Sequence, residues 1–279
     1  MRKPSEQPLI AFIGGGNMAS ALIGGLVADG YAPERIRVAE PDPEKRSRLA
    51  AGFGVSCTAG NLEAARHADV VVLSVKPQMI QAVAEGLRET IRAQRPLVVS
   101  IAAGVREGDL QGWLGGEAAL VRSMPNTPAM IQAGATVLHA GEGVSEAQRN
   151  RAESILRAVG LTLWVDDEAQ MDAVTALSGS GPAYFFAVME SLEQAGAALG
   201  LPPETARLLT LQTALGAAKM ALESDEPPSA LRQRVTSPGG TTERALQELQ
   251  GGDLDGLFRR ALTAARDRSV ELSRRLGDK

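Results

Sequence analysis

The stretch Leu9 to Leu26, LIAFIGGGNMASALIGGL, decides how this chain is read. It opens as an apolar run, Leu9 to Ile13. It then passes through Gly14-Gly15-Gly16 and continues from Met18 as small residues at helical spacing. Taken as strand, tight turn and helix, it carries G-x-G-x-x-A at Gly14, Gly16 and Ala19. The turn requires a residue without a Cβ at Gly14. Gly16 lets a pyrophosphate approach the backbone, and Ala19 lets the helix pack close to the strand. The free N–H groups at the helix start then face the phosphates. Such a motif also occurs in plain turns. Here the strand before it and the helix after it favour a dinucleotide site.

Outward from that unit, the first half of the chain alternates strands and helices. Strands are expected at Ile36 to Glu40, Val55 to Cys57, Val70 to Val75, Leu97 to Ile101 and Ala119 to Met124, with further ones at Ala135 to His139 and Leu161 to Val165. The run VVVLSV from Val70 is apolar on both faces, as central strands of a parallel sheet are. Helices are expected at Pro43 to Gly52, from an N-cap at Asn61 to near His67, at Gln78 to Arg92, at Glu107 to Leu114, and from Ser145 with Gln148 in a capping-box pattern. This rhythm predicts an α/β, Rossmann-type doubly wound parallel sheet with helices on both faces. After Asp166-Asp167 the pattern changes to helices only: Met171 to Leu177, Pro182 to Leu199, Pro203 to Glu223, Ser229 to Val235, Thr242 to Leu249 and Leu254 to Leu276. Pro182 and Pro203 fall where a first helical turn accepts proline. We therefore expect a dinucleotide-binding domain over 1–167 and an all-α domain over 168–279. Ala, Gly and Leu lie on more than one face of the later helices, which predicts cover by each other or by a partner chain.

Composition narrows the function classes. The 279 residues include 44% hydrophobic and 22% charged, enough for packed cores and unlike a disordered chain. Aromatics are 3% and the net charge is −4 without a long basic block, which argues against nucleic acid or an anionic membrane as partner. Cys57 is the sole cysteine, so no internal disulfide forms. The two histidines, His67 and His139, lie far apart, and no metal site is expected. No apolar run reaches membrane-spanning length, and Met1 to Pro8 is too polar for a signal peptide, so the expectation is a soluble cytoplasmic protein.

In a doubly wound sheet, ligands sit outside the carboxyl ends of the strands. Here those ends carry GGGNM, Glu40-Pro41-Asp42, Lys76-Pro77, Ala102-Ala103-Gly104 and Pro125-Asn126-Thr127-Pro128. Each alone reads as a turn; together they describe the rim of a cofactor cleft. Glu40 lies 24 positions after Gly16, close to where an acid accepts hydrogen bonds from an adenine-ribose 2′-hydroxyl, and it would repel a 2′-phosphate. Lys45 and Arg46 pull the other way, as phosphate partners or as a solvated helix face. The choice between NAD(H) and NADP(H) stays open at this point. The helical half holds two glycine-rich knots, Leu177 to Pro182 and Val235 to Thr242, each before a helix. The second, VTSPGGTT, offers hydroxyls and N–H groups at a helix start. It would suit a carboxylate and is richer than a cap requires.

GGGNMA, SVKP, MPNTP, ALSGSGPAY and above all VTSPGGTTERALQEL resemble the pyrroline-5-carboxylate reductase family over nearly the whole chain and in the family's order. The resemblance implies the last enzyme of proline synthesis. Its Rossmann domain would be followed by a helical domain that intertwines with a second subunit, so that each active site borrows residues across the dimer; larger rings of dimers occur. Carried over by position, Gly14, Gly15, Gly16, Asn17, Met18, Glu40, Asn61, Val75, Lys76, Pro77, Ala102, Ala103 and Gly104 would line the cofactor, with Asn126 beside the nicotinamide. Ser237, Gly240 and Thr241 would hold the substrate carboxylate, mainly through backbone N–H groups, and Thr242 would hydrogen-bond the ring nitrogen. Glu168 and Asp225 match acidic family positions near the substrate or its loop. The chain departs from many relatives at Glu40, where they carry a small polar residue. It also departs at Arg234, where they often carry Asn, so that contact is not carried over.

The implied reaction is hydride transfer from NAD(P)H to the C=N carbon of a cyclic imine. A protonated imine already attracts hydride, so positioning and water exclusion suffice. Hydroxy-acid dehydrogenases of similar architecture share a glycine-rich turn like that near Gly179 but use a lysine on the following helix. This chain has no lysine between Lys76 and Lys219, and alcohol oxidation needs a base. Two rival readings remain at this stage: a dehydrogenase for another imine or a hydroxy acid, and a dinucleotide-binding sensor without turnover.

Overall fold

The computed structural model describes Gln7–Gly277; the first six residues and the last two lie outside the described residues, and with them most of the Met1 to Pro8 segment. The chain forms two compact units, the first reaching Ser180 and including the stretch from Ala265 onward, the second spanning Gly181–Ala264.

The first unit is built on one eight-stranded sheet in the order β3-β2-β1-β4-β5-β6-β7-β8. In chain order its elements are β1 (Ile10–Ile13), α1 (Asn17–Ala28), β2 (Ile36–Ala39), α2 (Pro43–Phe53), β3 (Ser56–Thr58), α3 (Asn61–Ala65), β4 (Val70–Leu73), α4 (Ile80–Gln94), β5 (Leu97–Ser100), α5 (Glu107–Leu114), β6 (Ala119–Met124), β7 (Gly134–Ala140), α6 (Glu146–Arg157), β8 (Gly160–Trp164) and α7 (Gln170–Val174). Strands β1 to β6 are all parallel. The chain crosses from β3 over to β4, beside β1, which places the topological switch point between β1 and β4. Every residue of β1, β4 and β5 is buried, so both sheet faces are covered. One core gathers Phe12, Leu22, Ile23, Val72 and Leu156; the other gathers Ile13, Leu73, Ile80, Leu87 and Leu120. Burying one such side chain stabilises the fold by about 1.5–3 kcal/mol.

Strand β7, expected as a further strand without an assigned direction, runs antiparallel to β6. The link between them holds only a 3-10 turn, Thr127–Ile131, ending in a left-handed Gln132 (φ 58°), and a parallel return would need a longer crossover. Helix α6 supplies that crossover from β7 to β8, which are parallel. Its capping box is present as expected: the Ser145 hydroxyl accepts from Gln148 N, and the Gln148 side chain accepts from Ser145 N. Asn61 is not an N-cap. Gly60 occupies that position in extended conformation and Asn61 is the first helical residue. Likewise the expected helix at Gln78 begins as a 3-10 turn, Pro77–Met79. The one expected over Met171 to Leu177 is α7 followed by a π-helical turn, Thr175–Gly179, closed by Ser180 N donating to Thr175 O at 2.8 Å.

The second unit holds α8 (Gly181–Ala198), α9 (Pro203–Glu223), α10 (Pro228–Arg234), α11 (Thr241–Gly251) and the first part of α12 (Leu254–Gly277). Helices α8 and α9 pack where both are small: a Cβ on Gly196 would lie 3.3 Å from the Ala206 Cβ. Large apolar side chains remain on the outside, among them Phe185, Phe186, Leu199 and Leu222. The last turns of α12 belong to the first unit, where Ser269 and Ser273 are buried and Ser269 Oγ donates to Asp172 Oδ1 at 2.6 Å. Among the described residues no helix is long and apolar enough to cross a membrane.

Candidate active site

The glycine turn after β1 has the shape its sequence requires. Gly14 sits at φ +104°, and a Cβ there would lie 2.7 Å from the Ser74 carbonyl oxygen, so a side chain is excluded twice over. Ser74 fastens this turn: its single hydroxyl proton lies between two acceptors, Gly14 O at 2.7 Å and Ile13 O at 3.0 Å from Oγ. Gly15 is buried and its N–H donates to Glu40 Oε2 at 2.9 Å. Gly16 differs, because a Cβ there would meet nothing within 4 Å. Helix α1 starts directly after it, with no side-chain cap and no acidic residue in its first turn. Open space, uncapped N–H groups and the positive end of a helix dipole together suit a pyrophosphate. These residues therefore fit a dinucleotide.

Because β1 to β6 are parallel, the segments following them share one edge of the sheet. Gly14 to Met18, Glu40, Asn61, Val75 to Pro77, Ala102 to Gly104 and Asn126 all follow strand ends on that edge. Glu40 is 7% exposed, and its two carboxylate oxygens accept from Gly15 N and, at 3.1 Å, from Asp42 N. Gly104 takes a left-handed conformation, φ +73°, and faces Ser273 and Leu276 of α12. Asn126 is tied on both sides, with Nδ2 donating to Ser178 O at 3.1 Å and Oδ1 accepting from Ala135 N at 2.9 Å. It thus joins the strand end to the π-helical turn.

Glu168 faces a charged cluster within the first unit. Its Oε1 accepts from Glu107 N at 2.6 Å and forms a short ion pair with Arg122, which is 8% exposed. His139, also on the sheet, lies 3.4 Å from Glu107 Oε2. Arg106 and Asp172 extend the cluster at 3.9 Å.

In the second unit, Val235 to Gly240 forms the loop before α11. Gly240 is the N-cap of α11 and supplies no side chain to it, leaving Thr241 and Thr242 at the helix start. The Gly240 N–H is already used inside the loop, donating to Ser237 O at 3.0 Å. Gly239 N donates to Glu243 Oε2 at 2.7 Å, and Gly239 is left-handed at φ +73°. Ser237 and Thr241 are exposed and Thr242 is half-buried. Asp225 is exposed in the turn between α9 and α10; Arg234, in the same unit, pairs with Glu226 at 2.6 Å.

Two residues of the site, Ser74 and Arg122, lie outside the positions carried over from the motifs. Ser74 had a signal, being the polar residue where the apolar run of β4 ends. Arg122 had one too, a charge inside the strand ALVRSM, Ala119 to Met124.

The arrangement matches known proteins along the whole chain. A family profile described as pyrroline-5-carboxylate reductase dimerisation matches residues 168–272, and one described as NADP oxidoreductase coenzyme F420-dependent matches 9–104. The pyrroline-5-carboxylate reductase of Pseudomonas aeruginosa is 53% identical over 270 residues, covering 97% of this chain and 98% of its own. The chain belongs to the pyrroline-5-carboxylate reductase family. A solved reductase of this family from Coxiella burnetii superposes with a TM-score of 0.93 at 51% identity, covering 95% of this chain and 98% of that one. The Plasmodium falciparum pyrroline carboxylate reductase, solved with NADP bound, gives 0.85 at 30% identity, covering 96% and 99%.

Proposed function

We propose that this protein is a pyrroline-5-carboxylate reductase, an NAD(P)H-dependent oxidoreductase that reduces the C=N bond of 1-pyrroline-5-carboxylate to give L-proline, the last step of proline biosynthesis. The observation that carries this reading is the open, uncapped helix start after Gly16 in the same chain as the SPGGTT helix start at Gly240. When bound, the reduced nicotinamide supplies the hydride. The glycine turn and the α1 N-terminus hold the dinucleotide phosphates, while Val75 to Pro77, Ala102 to Gly104 and Asn126 border the rest. The Ser237 hydroxyl and the N–H groups of Thr241 and Thr242 receive the substrate carboxylate; Gly240, without a side chain, lets it approach. Thr242 places its hydroxyl at the ring nitrogen, and Asp225 and Glu168 order the surrounding segments. Hydride adds to the carbon of a protonated imine, so the C=N π pair moves to nitrogen and the product is a neutral amine. No strong acid is needed at that step, and the absence of lysine from the stretch 77–218 agrees with this.

The functional boundary lies at 167/168, supported by the start of the dimerisation match at 168. The protein works as a homodimer at minimum in the cytoplasm, its sites completed across the dimer, and a ring of dimers is the larger assembly that this family resemblance implies. The dimerisation match and the exposed Phe185, Phe186, Leu199 and Leu222 support association. Light scattering at micromolar concentration tests it: a dimer or larger species is expected, and a monomer contradicts it. A substrate panel tests the chemistry. Turnover of pyrroline-5-carboxylate, with proline as product and no oxidation of hydroxy acids, is expected; the reverse pattern would favour the dehydrogenase reading, and cofactor binding with no turnover the sensor reading.

A further inference from the structure

We propose that Glu40 makes this protein select NAD(H) over NADP(H), an inference that rests on the dinucleotide-site reading above. The sequence left two forces in balance, the acid at Glu40 against the bases at Lys45 and Arg46. The structure separates them.

The Glu40 carboxylate is buried at the end of β2 and held by two backbone donors, Gly15 N at 2.9 Å and Asp42 N at 3.1 Å. One of these belongs to the glycine turn, so the acid is fixed against the dinucleotide loop and does not swing into solvent. A carboxylate accepts about four hydrogen bonds and donates none. With two sites used by the backbone, the remaining two match the paired 2′- and 3′-hydroxyl donors of an unsubstituted ribose. A 2′-phosphate offers only acceptors and negative charge in the same place.

Of the two bases, Arg46 is turned toward the main chain, and Lys45 extends into solvent. Arg46 Nη1 donates to the main-chain carbonyls of Glu40 at 2.7 Å and Pro41 at 2.8 Å. Both bonds come from one nitrogen, so the guanidinium is anchored and only its Nη2 and Nε donors are left for another acceptor. The N-terminus of α2 is the other natural place for an anion, and it is also taken. Asp42 Oδ1 accepts from Glu44 N and Lys45 N, and the first helical residue is Pro43, which has no N–H. These backbone bonds and the nearby Lys45 and Arg48 hold the Asp42 carboxyl below the usual range, so a second negative charge stands beside Glu40 at neutral pH. The lip after β2 therefore places two ordered carboxylates beside the glycine turn, while Lys45 and Arg48 extend as exposed cations from the following helix.

Calorimetric titration of the cofactor-free full chain with NAD+ and with NADP+ tests this without relying on turnover. The wild type is expected to bind NAD+ roughly tenfold or more tightly than NADP+. Glu40→Ser and the isosteric Glu40→Gln are expected to shrink or invert that ratio, Glu40→Gln serving if the loss of both backbone contacts unfolds Glu40→Ser. Equal or tighter binding of NADP+ by the wild type overturns the inference, as does a ratio that both variants leave unchanged. The reductase reading fails separately: a protein that reduces pyrroline-5-carboxylate best with NADPH is still the reductase but contradicts the role of Glu40.

Discussion

Glu168 Oε1 accepts the backbone N–H of Glu107 at 2.6 Å while pairing with the guanidinium of Arg122, so one carboxylate links the turn before α7 to β6 and to the first turn of α5. The pair is well shielded, with side-chain exposures of 10% for Arg122 and 28% for Glu168. Removing the acid strands a buried cation. Glu168→Ala is therefore expected to cost about 2–3 kcal/mol, a little under the loss for fully buried pairs, and Glu168→Gln less, since an amide oxygen still accepts from Glu107 N. Urea unfolding midpoints measure this. A variant of unchanged stability with a raised KM would instead make Glu168 a substrate contact.

Gly14 and Gly16 lie two residues apart and should respond in opposite ways. A methyl group at Gly14 meets Ser74 O at 2.7 Å in a left-handed backbone; one at Gly16 meets open space with φ −72°. Gly14→Ala is expected to lower stability by about 1–3 kcal/mol. Gly16→Ala is expected to leave stability within about 0.5 kcal/mol of the wild type while weakening dinucleotide binding about tenfold or more, because the methyl occupies the approach of the pyrophosphate. Thermal unfolding alongside calorimetry separates the two effects. Wild-type cofactor affinity in Gly16→Ala would displace the pyrophosphate from this turn.

Thr242 stands at the start of α11, half-buried behind an N-cap without a side chain. Thr242→Ala is expected to lower kcat about 10- to 100-fold with little change in cofactor affinity, as a hydrogen bond to a charged group contributes about 1.5–3 kcal/mol. Thr242→Ser, which keeps the hydroxyl, should recover much of the rate. Unchanged turnover in the alanine variant would remove Thr242 from the reaction.

Tyr31 sets a pH limit on the first unit. Its hydroxyl donates to Pro8 O, and burial pushes its pKa up to about 12, with Arg35 opposing and Asp69 adding to the shift. The folded state therefore holds this proton more tightly than the unfolded chain, whose tyrosine titrates near 10. The stabilisation is complete below pH 10 and is lost as pH rises toward 12. Ultraviolet difference titration of the wild type against Tyr31→Phe should show a phenolate appearing near 12, and the variant should lose this part of the alkaline fall in stability. A difference signal centred at 10 would contradict the burial of the group.

The strands and long helices were legible because their patterns are local. IAFI, VVVL and LVVS are apolar on both faces, and each is a fully buried strand of the sheet. The Ser145–Gln148 box and the Pro203 helix start likewise lie within a few residues of sequence. What was not legible depends on distant partners. The direction of β7 follows from a link too short for a crossover, which an apolar pattern does not encode. The π turn at Thr175 and the engagement of Asn126 with Ser178 join segments 52 residues apart. Asn61 had the composition of an N-cap, yet the cap falls one residue earlier, at Gly60, and Asn61 is the first helical residue. In the candidate site, the motif positions were legible, but the orientation of Glu40 and the commitment of Arg46 to two carbonyls were not.

The most direct test of the account is steady-state oxidation of NADH and of NADPH by the purified protein, with pyrroline-5-carboxylate as acceptor and proline measured as product. The account predicts turnover that forms one proline for each dinucleotide oxidised, with the larger kcat/KM for NADH. Absence of oxidation of either cofactor would contradict the assignment of this chain as a reductase.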